Sequence, residues 1–203
     1  MRTGTLFVIA GPSGVGKGTV VREVLSRVPE GLVLSVSATT RPPRPTEVKE
    51  VDYLFVDDAE FDRMVTDGEL LEWAEVFDGH RYGTPAGPVR SELDRGRDVI
   101  LEIDVEGARQ IRDQMPEAVM VLLAPPSMDE LERRLRSRGT ESDESISERL
   151  DKATWELDQR EMFDRVVTND DLDHASSQVA AIIEASHDEV PSGVDEAPTE
   201  DVP

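Results

Sequence analysis

A glycine-rich loop near the N-terminus constrains this 203-residue chain more than any other feature. It follows a short apolar run, Leu6–Ala10, that is typical of a buried parallel strand, and it precedes a helical pattern of apolar residues over 20–25. This order predicts a P-loop, in which glycines let backbone N–H groups converge on a phosphate and the helix N-terminus adds partial positive charge. The loop consists of Gly11, Pro12, Ser13, Gly14, Val15, Gly16, Lys17, Gly18 and Thr19.

Two positions in this loop bear on its chemistry. Lys17 is placed to reach the β- and γ-phosphates of a bound nucleotide. Position 18 is glycine, where many P-loops have a Ser or Thr hydroxyl for Mg²⁺, and Thr19 comes one residue later. Ligation of the metal by a side-chain hydroxyl at position 18 is therefore excluded.

Strand-like and helical patterns alternate along the rest of the chain, which predicts an α/β fold with a P-loop NTPase-type parallel five-stranded sheet flanked by helices. Two segments interrupt the alternation. Residues 38–88 are rich in turns and are read as an inserted mixed α/β subdomain, and residues 137–148 as a small, mobile lid. The four further strands are expected at Leu32–Ser37, Val99–Ile103, Ala118–Ala124 and Arg165–Thr168.

The charge and composition exclude several classes of function. Acidic residues number 44 against 22 basic ones, so the formal charge of −22 argues against binding to nucleic acid or to an anionic membrane. The chain has no cysteine and three histidines, which argues against disulfides and zinc sites. No apolar run approaches the roughly 18 residues that a membrane span needs, and the N-terminus does not read as a secretory signal. A cytoplasmic location is expected.

The distribution of charge suggests a protein that works in high salt. The chain has three lysines against 19 arginines. Residues 187–203 carry six acids, no Lys or Arg and three prolines, and are expected to form a disordered acidic tail. Without them the chain still carries −16, and high salt would screen this self-repulsion. An ordinary acidic cytosolic protein is the alternative.

Two arginines three residues apart, Arg41 and Arg44, lie among prolines that limit the freedom of the backbone. Such a pair can form a stiff clamp for a dianion. The alternative is a solvated basic turn, but a local basic cluster is unexpected in so acidic a chain.

Together with the P-loop, an ordered series of motifs over about residues 4–186 resembles the sequences of the guanylate kinase family. After the P-loop the series runs through Ser37–Arg44, Asp52-Tyr53, Leu71–Ala74, Tyr82–Thr84, Ile103-Asp104, Ala124–Ser127, Arg138–Thr140 and Asn169–Asp171. One departure is Glu102, where the family commonly has Asp, so a water-mediated magnesium role at this position stays open.

The resemblance assigns the acceptor site to the inserted segment and to the end of the third strand. It implies that GMP phosphate is bound by Arg41, Arg44, Tyr53 and Tyr82, and that guanine is bound by Ser37, Glu72, Thr84 and Asp104. The chemistry agrees, because guanine offers N1–H and a 2-amino group side by side to a carboxylate, whereas adenine has an acceptor at N1.

The donor site follows from the same resemblance. ATP would bind the loop Gly11–Thr19 together with Arg134, Arg138 and Asn169, and Lys17, Arg41, Arg138 and Arg149 would act on the transferring phosphoryl group. Mg²⁺ would be held mainly through water and phosphates, with no direct protein ligand assigned. No general base is required, since the GMP phosphate is already ionised, and the three histidines are expected to be exposed.

The resemblance thus implies transfer of the γ-phosphoryl group of ATP to GMP or dGMP, in purine nucleotide metabolism. The expected domain is 1–186, with core segments 1–37, 89–136 and 149–186, a GMP-binding insertion at about 38–88, a lid at about 137–148 and the tail 187–203. Two alternatives remain: a non-catalytic guanylate-kinase-like module that binds phosphopeptides, and a P-loop kinase acting on a ribosyl phosphate.

Overall fold

The structure of the protein is a computed structural model that describes residues 2–28, 31–76, 79–137 and 142–188. Helices and strands alternate along most of this part of the chain. The strands are β1 (Leu6–Ala10), β2 (Leu32–Leu34), β3 (Ala38–Thr39), β4 (Leu54–Phe55), β5 (Leu70–Glu75), β6 (Arg81–Pro85), β7 (Asp98–Glu102), β8 (Val119–Ala124) and β9 (Arg165–Thr168). The helices are α1 (Lys17–Arg27), α2 (Asp58–Thr66), α3 (Ala86–Asp94), α4 (Val105–Gln114), α5 (Met128–Ser137), α6 (Asp143–Asp158) and α7 (Leu172–Asp188), and a 3₁₀ turn covers Gln159–Met162.

The main sheet has five parallel strands within the described residues, in the order β2-β7-β1-β8-β9. Strand β1 lies at its centre, and all five of its residues are buried because helices cover both faces. One face packs against α1 and α7, and the other against α3 and α4. The predicted fold class is confirmed.

The inserted segment forms a second sheet, in the order β4-β3-β6-β5. Strands β5 and β6 are antiparallel, and α2 covers the sheet through Phe61 and Met64. The expected second strand, Leu32–Ser37, is shorter in the structure: β2 ends at Leu34, and the chain crosses into the second sheet at Ala38. Residues of the second sheet and of the phosphate loop, which follows β1, line the same cleft.

The lid prediction needs a correction. Helix α6 begins at Asp143, so residues 143–148, expected in the lid, are helical. Ser142 caps this helix, because its side chain accepts a hydrogen bond from the Ser145 N–H at 3.2 Å, and Asp143 and Glu144 suit the positive helix N-terminus. Residues 138–141, including Arg138, lie outside the described residues.

The predicted tail also begins too early. Helix α7 continues to Asp188, since no helix-breaking residue occurs before Pro191. The remaining tail residues, 189–203, lie outside the described part of the chain. Among the helices that the structure describes, none combines the length and the apolarity that a bilayer crossing requires.

Candidate active site

The phosphate loop connects β1 to α1 and has the conformation that its glycines predict. Gly14 and Gly16 have φ angles of 87° and 100°, which L-residues with side chains rarely adopt. The Lys17 ammonium lies over the loop and donates hydrogen bonds to the carbonyl oxygens of Gly11 at 2.6 Å and Pro12 at 3.3 Å. The loop thus presents a lysine and the N-terminus of a long helix at one place, which is an anion-binding arrangement.

The Glu102 carboxylate lies close to position 18 of the loop. A Cβ atom at this position would lie 3.2 and 3.3 Å from the two carboxylate oxygens of Glu102. The carboxylate therefore occupies the space beside the loop where a larger side chain at position 18 would extend. Burial raises the pKa of Glu102, while the nearby Lys17 and Arg22 act in the opposite direction.

Two of the predicted ATP-binding residues lie behind the loop. The Asn169 side-chain amide is buried and donates to the Val15 carbonyl at 2.7 Å. Arg134 donates to the same carbonyl at 3.2 Å and to the Asn169 carbonyl at 3.0 Å, while Glu130 accepts from its Nε at 2.8 Å. Val15 itself is fully buried. In the structure these contacts support the shape of the loop.

The predicted phosphate-binding residues of the acceptor side meet on the second sheet. Arg41 Nε donates to the Tyr82 hydroxyl at 3.0 Å, and the Arg41 guanidinium lies 5.5 Å from the centre of the Tyr53 ring. The two tyrosine rings pack edge to face with centroids 5.9 Å apart. Burial raises the pKa of Tyr53 to about 12, so its hydroxyl remains a hydrogen-bond donor at neutral pH. Arg44 is more exposed and lies at the rim.

The predicted base-reading residues centre on a buried carboxylate. Glu72 on β5 is only 4% exposed, and its Oε1 accepts a 2.6 Å hydrogen bond from the Thr84 hydroxyl on β6. Thr84 is fully buried and does not line the cleft; it acts on Glu72 from behind. Burial, with Asp104 adding repulsion, raises the pKa of Glu72 to about 7.

Helix α4 fixes this carboxylate from the other side. The other oxygen, Oε2, approaches Gly107 so closely that a Cβ there would lie 2.3 Å away. Asp104 caps the same helix by accepting the Gly107 N–H at 2.9 Å. Glu72 and Asp104 are therefore both positioned at the first turn of α4, although Glu72 lies on the second sheet and Asp104 follows a strand of the main sheet.

Helix α6 contributes a third wall, part of which the sequence analysis missed. Arg149 donates to the Ser13 hydroxyl of the phosphate loop at 3.2 Å, and Lys152 pairs with Asp104 at 3.2 Å. Glu156 is buried, and its burial raises its pKa to about 6. The spacing i, i+3, i+7 of these three residues puts them on one helix face, and this signal was available in the sequence.

These three walls enclose one cleft of about 460 Å³. Its walls include every predicted site residue within the described ranges except Val15, Thr84, Arg134 and Asn169. His80, expected to be exposed, is half-buried at its edge, and Arg22, Lys152 and Glu156 join the walls without having been predicted. The cleft thus combines a phosphate-binding end with an arginine-lined and carboxylate-lined end.

Comparison with known proteins agrees with this arrangement. The sequence model of the guanylate kinase family matches residues 3–186. The chain is 56% identical to a guanylate kinase of Nocardia farcinica over 182 residues, which cover 89% of this chain and 94% of that protein. It is 56% identical to a guanylate kinase of Thermobifida fusca over 180 residues, with 89% and 91% covered.

A solved structure gives the same result for the fold. The crystal structure of guanylate kinase from Anaplasma phagocytophilum superimposes with a TM-score of 0.77 at 34% identity, covering 93% of this chain and 89% of that one. The superposition extends over nearly the whole chain. The chain therefore belongs to the guanylate kinase family.

Proposed function

We propose that this protein transfers the γ-phosphoryl group of ATP to GMP, and to dGMP, giving ADP and the nucleoside diphosphate. One observation carries the proposal: a phosphate loop, an arginine pair and a buried carboxylate face a single cleft. The two distinct ends of the cleft suit the phosphates of a donor nucleotide on the loop and an acceptor nucleotide on the second sheet. Family membership supports the same reaction.

The base of the acceptor would be read by Glu72 with Ser37 and Asp104. A carboxylate accepts from guanine N1–H and from the 2-amino group, whereas adenine would place an unprotonated nitrogen against the same oxygens. Thr84 contributes indirectly, since its hydroxyl already donates to Glu72. Arg41, Arg44, Tyr53 and Tyr82 would bind the acceptor phosphate at the other end of the second sheet.

The donor would lie on the loop Gly11–Thr19, with Lys17 against its β- and γ-phosphates. Arg149 reaches the same loop from α6 and would neutralise charge on the transferring group, together with Arg41 and Arg138. The GMP phosphate oxygen is the nucleophile and is ionised at neutral pH, so positioning and charge neutralisation carry the catalysis. Closure over the cleft would exclude water and protect ATP from hydrolysis.

The residues around the loop fit Mg²⁺ bound chiefly by phosphates and water. Position 18 has no hydroxyl, but Thr19 and the Glu102 carboxylate line the cleft next to Lys17 and supply oxygen atoms, the donor type that Mg²⁺ prefers. When bound, the ion would neutralise phosphate charge. The protein residues would orient the nucleotides around it.

A wider role in purine nucleotide metabolism and a cytoplasmic location remain predictions, as does adaptation to high salt. ATP and GMP are the proposed partners, and the charge of −22 continues to argue against nucleic acid.

The test is a coupled assay of ADP release with GMP, dGMP, AMP and ribosyl phosphates as acceptors. We expect turnover with GMP and dGMP, far less with AMP, and ADP and GDP formed in equal amounts. A reaction without acceptor measures ATP hydrolysis as the background. Preferential use of a ribosyl phosphate, or no ADP release with GMP, would contradict the proposal and favour one of the two alternatives.

A further inference from the structure

The carboxylate of Glu47 lies directly behind the arginine clamp. It accepts hydrogen bonds from both terminal nitrogens of Arg41, at 3.0 and 2.8 Å, and from the Arg44 backbone N–H at 2.7 Å. Its side chain is 13% exposed, and it is not among the residues that line the cleft. Glu47 therefore contacts the clamp from outside the lining of the cleft.

These contacts fix the orientation of Arg41 almost completely. A guanidinium has five N–H groups. In Arg41 one donates to the Tyr82 hydroxyl, one to the Pro42 carbonyl and two to Glu47. Because the bonds to Glu47 form a two-pronged pair in the plane of the guanidinium, they define its rotation as well as its position.

Glu47 is also the counter-charge of the clamp. The Arg41 side chain is 11% exposed, so its charge needs a partner inside the protein. The hydrogen bonds from Arg41 lower the pKa of Glu47, which keeps the carboxylate ionised. Arg44 lies 3.9 Å from the same carboxylate, so Glu47 lies between the two cations and reduces their mutual repulsion.

We propose that Glu47 is a positioning residue for the acceptor phosphate: it holds Arg41 and the 41–47 turn in the geometry that binds the phosphate of GMP. This inference rests on the proposed function. The alternative is that the Glu47 carboxylate competes with the GMP phosphate for Arg41, so that the phosphate must displace it. If Glu47 positions Arg41, loss of the carboxylate weakens GMP binding. If Glu47 competes with the phosphate, the same change strengthens GMP binding.

The test compares Glu47→Gln with a matched control, Glu60→Gln. Glu60 also makes a two-pronged contact, with Nε and a terminal nitrogen of Arg63 at 3.0 and 2.9 Å, at an exposed position on α2 that does not line the cleft. Isothermal titration with GMP alone gives Kd, and steady-state kinetics give KM for GMP and for ATP. For Glu47→Gln we expect Kd and KM for GMP to rise about tenfold, equivalent to about 1.4 kcal/mol, with less than about twofold change in KM for ATP. The control should match the parent protein.

A second variant keeps the inference testable if Glu47→Gln is unstable. Glu47→Asp retains the charge but is shorter by one methylene group, so it should bind GMP with intermediate affinity. Unchanged or tighter GMP binding in a folded Glu47 variant would overturn the inference. Equal weakening of GMP and ATP would also overturn it, because a general structural defect does not distinguish the two sites. Failure of the proposed function would appear separately, as a parent protein that does not phosphorylate GMP.

Discussion

Replacement of Glu72 by glutamine should improve the relative stability of this protein as pH rises and, at the same time, lower its activity with GMP. The carboxyl group is buried, and burial raises its pKa from an ordinary value near 4.5 to about 7. The native state therefore binds more protons than the unfolded state between these pH values, so this group makes the protein less stable as pH rises through that range. Glutamine removes the titration but retains an oxygen that can accept from the Thr84 hydroxyl.

The two pKa values set the size of the effect. A pKa of about 7 in the native state and 4.5 in the unfolded state implies that titration of Glu72 lowers the free energy of unfolding, relative to strongly acidic pH, by about 3 kcal/mol well above pH 7 and by about 1 kcal/mol at pH 5.5. We therefore expect the stability of Glu72→Gln relative to the parent to improve by about 2 kcal/mol between pH 5.5 and pH 8. For a chain of this length that is a shift of about 4–8 °C in Tm.

The assay is urea or thermal unfolding of both proteins at the two pH values, combined with GMP kinetics. Glu156 also titrates in this range but is present in both proteins, so its contribution cancels. Glu75→Gln, at an exposed position on the same strand, is the matched control. kcat/KM for GMP should fall at least about tenfold in Glu72→Gln, because an amide N–H would face the guanine donors. A stability difference that is equal at both pH values would refute the reasoning.

Three further predictions follow from the loop, from α4 and from the charge. Lys17→Ala should lower turnover at least about a hundredfold with little change in Tm, since the side chain contacts loop carbonyls and not the core, and would contact the phosphates of a bound nucleotide. Lys49→Ala, at an exposed position, is the control, and near-normal turnover in Lys17→Ala would contradict the P-loop assignment. Gly107→Ala should raise KM for GMP about tenfold, because the new methyl group would displace Glu72, whereas Gly87→Ala on α3 has open space and should be neutral. Raising KCl from about 0.1 to 2 M should increase Tm steadily, because the Debye length falls from about 10 Å to below 3 Å; a flat or falling Tm would contradict adaptation to high salt.

The sequence predicted the parts of the site that depend on local pattern. Lys17 and its glycines form a contiguous motif between a strand and a helix, so the phosphate loop could be placed from the sequence alone. Lys152 and Glu156 were missed because their position depends on how α6 is rotated against the cleft, and charged residues at helical spacing are usually solvated. Glu47 was missed for a similar reason, since an acid after two arginines reads as part of a surface turn.

The errors in element bounds have one local cause and one tertiary cause. The polar run after Ser137 was read as one loop, but Ser142 caps a helix, and the cap is decided by one side-chain hydrogen bond. Strand β2 ends early because Ala38 and Thr39 pair with β4 and β6 of the second sheet. Two sheets compete for this segment, so tertiary contacts set the end of the strand. The spacing of apolar residues along the sequence does not indicate such contacts.

The central place of β1 has a consequence for the order in which the chain acquires structure during synthesis. This strand emerges first, but its two neighbours, β7 and β8, end at Glu102 and Ala124. At about 5–20 residues per second, a ribosome needs roughly 6–24 s to deliver both of them after β1. The second sheet is complete at Pro85, so it can close while the apolar Leu6–Ala10 segment still lacks its partners. Changes that slow translation before Ala124 should therefore lower the yield of folded protein without altering the stability of the molecules that do fold.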